Sequence, residues 1–106
     1  MHPARMRAKA DQRRDALARA NQVRIARAEL KRRIASGDVS ASEAILFRRW
    51  DTDTMPVGDL LTSQRHWGDK RCHRLLTPMR LLESKRIGSM TDRQRVDLAG
   101  RLNGFA

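Results

Sequence analysis

The chain is short of the materials that staple small folds or build apolar interfaces. It has one cysteine in 106 residues, Cys72, so no internal disulfide can form, in keeping with a reducing, cytoplasmic setting. Its aromatics are two tryptophans and two phenylalanines, with no tyrosine. That leaves little for a dimer interface, which draws on such side chains, so a monomer is expected. No stretch approaches the ~18 apolar residues needed to cross a bilayer. The first thirty residues also lack the apolar run of a secretory signal. Acidic residues are scarce, 12 against 23 Lys and Arg, for a net charge of +11. A surplus that large repels itself in a compact fold unless a polyanion offsets it. The basic footprint points to a nucleic acid partner, with an anionic membrane surface the next candidate.

The surplus is unevenly placed. Residues 1–35 carry 11 basic and 3 acidic side chains, residues 36–60 carry 2 and 5, and residues 61–106 carry 10 and 4. Two basic segments flanking an acidic one suggest two separate contact surfaces rather than a uniform polycation.

From about Asp11 to Ala35 there is no Gly or Pro, and Ala, Arg, Leu and Gln dominate. These are strong helix formers. Ala16, Ala20, Val23, Arg27, Leu30 and Ile34 recur at spacings of three and four, a narrow stripe on one helix face. Its first half is mostly alanine, so docking on a body is expected from Val23 on. The earlier half should be exposed and order on DNA. Arg13, Arg14, Arg24, Lys31 and Arg32 lie elsewhere around the cylinder. Gly37 is a left-handed C-terminal cap. Ser40-Ala41-Ser42-Glu43 reads as a capping box for a second helix with Ile45, Leu46 and Phe47, ending near Trp50, itself expected in the core. Asp51–Thr54 is a polar loop. Pro56 opens a third helix to about Ser63. Asp69 is a candidate N-cap for a fourth, carrying Cys72, Leu75, Leu76 and Met79, which Pro78 should end or kink near Leu76. Thr91-Asp92-Arg93-Gln94 is a second capping box before a last helix with Val96, Leu98 and Leu102 at core positions. Nothing alternates with a period of two. The expected fold is all-α: a basic N-terminal helix over residues 1–37, then a small helical module over 38–106.

Two stretches carry a resemblance when taken together. One is Leu60-Leu61…Gly68-Asp69-Lys70-Arg71-Cys72; the other is Lys85-Arg86-Ile87-Gly88…Thr91-Asp92-Arg93-Gln94-Arg95. With Arg27–Lys31 and Met55-Pro56-Val57 upstream, the chain resembles the actinobacterial integration host factor family over most of residues 13–102. The resemblance implies a long N-terminal helix joined to a helix–two-turn–helix module. It also implies a monomeric, nucleoid-associated protein that bends and condenses double-stranded DNA and assists site-specific recombination, with a recombinase or integrase on shared DNA as a further partner. The phosphate-binding turn it implies is His66, Trp67, Gly68, Asp69, Lys70 and Arg71, and the basic loop is Lys85 and Arg86. Asp69 stands where the family usually has lysine, Gly88 where it has a third loop arginine, and Ser89-Met90-Thr91 where it has Gly-Leu-Gly. Arg65 and Arg74 are candidates to compensate.

The residues support an anion site on their own terms. A glycine turn opening a helix presents free amides at the positive end of the dipole. A tight turn alone is the competing explanation for Gly68. The candidate DNA contacts are therefore Arg65, His66, Trp67, Gly68, Lys70, Arg71, Arg74, Lys85, Arg86 and Arg93, with Arg13, Arg14, Arg24 and Lys31 on the long helix. Trp67 either stacks on a sugar or base or covers the core. His66, Cys72 and His73 invite a zinc reading, but structural zinc wants four ligands at paired spacing, and Cys72 falls on an inward face. No serine–histidine pair, acidic metal cluster or phosphate loop is evident. Related modules in DNA glycosylases accompany a separate catalytic domain for which there is no room. Neither catalysis nor a cofactor is expected. The alternatives are an RNA-binding ribosomal-type protein and a sequence-specific transcription regulator.

Overall fold

A computed structural model describes residues 3–104. The fold is all-α, with five helices and no strand among the described residues: α1 Pro3–Ser36, α2 Ala41–Leu46, α3 Val57–Thr62, α4 Asp69–Leu76 and α5 Asp92–Leu102. Single 3-10 turns lie at Thr77–Met79 and Ile87–Ser89.

The long helix sets the shape. At 1.5 Å per residue its 34 residues extend about 50 Å, and the molecule measures 61 × 28 × 23 Å. Its radius of gyration is 17.2 Å, against about 13 Å for a compact chain of this length. The excess is the free half of α1. No described side chain before Val23 is even half-buried, whereas Leu30 and Ile34 are buried in the core. Alanine cannot anchor a helix, because it has too little apolar surface to bury. Gly37 ends α1 at φ +88, with its amide on the Ile34 carbonyl.

Leu30 and Ile34 join one core with Ile45, Met55, Val57, Leu60, Leu61, Cys72, Leu76, Ile87, Met90 and Leu98. α2 packs along α5. Ser40 caps α2 through the Glu43 amide, and Thr91 and Gln94 form the full reciprocal capping box on α5. Helix α4 ends at Leu76, as Pro78 requires.

The structure departs from expectation around Trp50 and Asp69. α2 stops at Leu46, and Leu46, Phe47, Trp50 and Val96 are exposed. For the segment after α2 the cause is polar. Asp51 is 2% exposed and accepts two 2.9 Å bonds from the Arg49 guanidinium, which pulls the chain after Phe47 into a turn. Arg27 of α1 then donates Nε–H to the Asp51 carbonyl at 3.0 Å and also bonds the Thr54 hydroxyl. The stripe position read as apolar-facing is thus an arginine latch. The candidate N-cap Asp69 is the first residue of α4 instead, and Gly68 occupies the cap with no side-chain bond.

Arg49, chiefly by hydrogen bonding, holds the Asp51 carboxyl below the usual carboxylate range against the opposing pull of burial. A group whose folded-state pKa is depressed stabilises above its unfolded value, and that contribution is lost as pH falls through the folded one. Acid should therefore weaken the Arg49–Asp51 pair only once the pH drops below the usual carboxylate range. Asp51→Asn is expected to lower stability by about 1–2 kcal/mol at neutral pH, since Arg49 is part-solvated, and by progressively less as the pH falls below the usual carboxylate range. The gap between the thermal melts of the two proteins should hold from pH 7 to about 4 and narrow below that; a gap that stays constant down to about pH 2 would dismiss the linkage.

Candidate nucleic-acid interface

The amide-presenting turn forms because α3 runs out of apolar residues after Leu61. Two successive turns follow, closed by Ser63 N–H on the Leu60 carbonyl and Trp67 N–H on the Gln64 carbonyl. The left-handed residue is His66, at φ 66, and not the glycine. Gly68 sits at φ −103 and ψ −177, extended backbone open to any residue, and a Cβ there would meet nothing within 4 Å. The tight-turn explanation for Gly68 therefore fails: neither the turn nor the packing needs a glycine. Gly58 and Gly88 differ, since a Cβ would run into Glu83 at 2.9 Å and into the Asp53 backbone at 2.4 Å.

Past Gly68 the opening amides of α4 have no side-chain cap, so the partial positive charge of the helix start is open to solvent. Arg71 lies with its guanidinium 4.2 Å from the centre of the Trp67 ring. That stacking fixes the cation beside the turn, and the half-buried Trp67 rests on the core. Of the two roles weighed for Trp67, the core cover is the one seen, and it also positions an arginine. Lys70 and Arg74 share a second face of α4 with His73. Asp69 lines another depression with Asp59 and Glu83, and Glu83 reaches His73 of the basic face at 3.9 Å. Arg65 opens onto the groove beside the end of α1.

The basic loop is pinned to the start of α3. Val57 N–H bonds the Lys85 carbonyl at 2.8 Å, Ile87 N–H bonds the Met55 carbonyl at 2.9 Å, and Pro56 bridges Arg86. Lys85 is half-buried and Arg86 exposed. Helix α3, about 9 Å long, separates this loop from the Gly68 turn. Arg80, absent from the sequence candidates, lines one depression with Lys85 and Gln94 and holds a left-handed backbone at φ 57. Only its conformation marks it out, and sequence does not display that. Arg93 is exposed on the first turn of α5.

On α1, Arg13, Arg24 and Lys31 recur at spacings of eleven and seven, which puts them within about 20° of one line along some 27 Å of helix. None forms an ion pair among the described residues, whereas Arg14 pairs with Asp11 at 3.1 Å, and Arg32 and Arg33 with Glu29. The hydrogen bond from Arg32 is the main cause that lowers the Glu29 pKa. Arg14 is therefore partly neutralised, and the line of three is the better basic face.

Cys72 is fully buried, and burial, with Glu83 and Asp69 nearby, pushes its thiol to about 11. It is neither a thiolate ligand nor a nucleophile at neutral pH. Among the described residues no group of three or more His, Cys, Asp or Glu converges to hold a metal. No described helix is long and apolar enough to cross a membrane. No protein-family model matches the chain, and no curated protein or solved structure is significantly similar to it.

Proposed function

We propose that this chain binds duplex DNA through its phosphates, with low sequence selectivity, and bends or condenses it. This is the nucleoid role that the resemblance to integration host factors implies, including help to a recombinase on the same DNA. The observation that carries the reading is Gly68. It has no structural use for its missing side chain, yet it stands at an uncapped helix start beside an arginine held by Trp67. A bare backbone at that point admits a phosphate oxygen close to the amides. The pinned loop of Lys85 and Arg86 offers further cations, and the Arg13, Arg24 and Lys31 line along some 27 Å of α1 offers a second surface. Two surfaces are what bending needs, because contacts at separate points must offset an elastic cost of order 1–6 kcal/mol.

Gly68→Ala, Arg71→Ala and Arg86→Ala should each weaken binding about five- to tenfold on every duplex tested, leaving base preference unchanged. All three should keep the wild-type circular dichroism and melting point, since each site is exposed. Fluorescence anisotropy on several unrelated duplexes, with folded RNA as competitor, makes the measurement. Unchanged affinity in all three variants would remove the Gly68 turn and the loop from the interface. Stronger competition by RNA would favour the ribosomal-type alternative.

A further inference from the structure

Phe47 and Trp50 are two of the four aromatic residues in the chain, yet they are 68% and 64% exposed. A small core short of aromatics leaves its largest apolar side chains in water, against the usual gain from burying them. The segment that holds them is tied down. Arg49 is paired to buried Asp51, Arg48 reaches Asp92 at 3.5 Å, and the Asp51 carbonyl takes a bond from Arg27 of α1. Two exposed rings therefore stand on a tied segment whose Asp51 end meets α1 at Arg27.

We infer that Phe47 and Trp50 form an apolar wedge that enters a base-pair step of duplex DNA lying along the basic face of α1, and so sets where the duplex kinks. The wedge rests on the DNA reading above. Charge selects the occupant. Arg48 and Arg49 are paired to Asp92 and Asp51, but Arg27 bonds only uncharged oxygens of this segment and so keeps its charge beside it, with Arg24 one turn earlier on α1. A second copy of a chain with net charge +11 is repelled from such a patch, whereas a polyanion is drawn to it. Cations on the phosphates to either side, with an apolar ring between them, give the arrangement by which architectural proteins unstack a step and bend the duplex.

The test uses the full chain with Phe47→Ala/Trp50→Ala and Trp50→Phe. The probe is a short duplex carrying 2-aminopurine at internal steps and a dye pair at its ends. Wild type should raise the 2-aminopurine emission and bring the ends together. The double alanine variant should bind within about threefold of wild type with the same salt slope, because the phosphate contacts remain. It should also lose more than half of both signals. Trp50→Phe, which keeps a ring, should retain them. Bending and unstacking that survive the double substitution overturn the wedge and leave the DNA reading standing, as does wild-type bending without any unstacking. A wild type that binds no duplex overturns the DNA reading, and the wedge with it.

Discussion

Raising salt from 50 to 200 mM should weaken duplex binding several hundred-fold, because about five neutralised phosphates give a slope of log K on log salt near −4.5. The steepness comes from counterion release: each cation placed on the duplex frees condensed ions, and added salt opposes that release. Removing residues 1–20 takes away Arg13 but neither Leu30 nor Ile34, so the core should persist. The shortened protein should bind with a slope less steep by about 0.9 for each phosphate it no longer neutralises. It should also bend the duplex far less, since one of the two surfaces is cut back. In free full-length protein the amides before Val23 should exchange quickly, a lone helix segment being marginal in water, and DNA should slow them. A slope near −1 for the full chain would sink the phosphate clamp. Equal bending by both proteins would leave the turn and the loop as the whole functional unit.

Arg95→Ala should come close to unfolding the protein. Arg95 is 3% exposed, and its guanidinium donates to three backbone carbonyls: Ile87 at 2.6 Å, Ile45 at 3.0 Å and Met90 at 3.4 Å. These bonds tie α5 to the end of α2 and to the turn after the basic loop. Burial lowers its pKa, but a guanidinium still keeps its charge at neutral pH. Alanine would orphan the buried Ile45 and Met90 carbonyls, leave that of Ile87 with the Met90 amide alone, and open a cavity, a loss of about 3–5 kcal/mol from a total of some 5–15. Arg95→Met, which fills the space without the donors, should recover only part of it. Denaturant titrations followed by circular dichroism decide the matter. A loss under about 1 kcal/mol for Arg95→Ala would mean that water satisfies those carbonyls.

Arg95 also shows where sequence reading stops. Along the chain it is one more cation in the basic C-terminal segment, indistinguishable from Arg93 two residues earlier. Only the fold separates them, because one turn of α5 aims Arg95 at carbonyls from two other segments and Arg93 at solvent. The same applies to Arg27, which sits in an apolar-spaced stripe and proves to be the latch onto Asp51 and Thr54. Arginine can bury its stem and still bond at its tip, so periodicity cannot tell a core arginine from a surface one.

Features that rest on local physics were legible along the chain. The all-α class, the Gly37 stop, the Thr91 capping box, the end of α4 before Pro78 and the inward Cys72 all follow from backbone sterics and short-range periodicity. Long-range partners were fixed by the docking of helices. Phe47 and Trp50 lie outside the core because Arg49, Asp51 and Arg27, up to 24 residues apart, close a polar turn beneath them. Gly68 is likewise freed of a structural duty only because His66 takes the left-handed position and the space around the glycine is empty. Hydrogen bonds and voids between distant segments depend on how helices dock, and hydrophobic spacing along one helix carries no record of that.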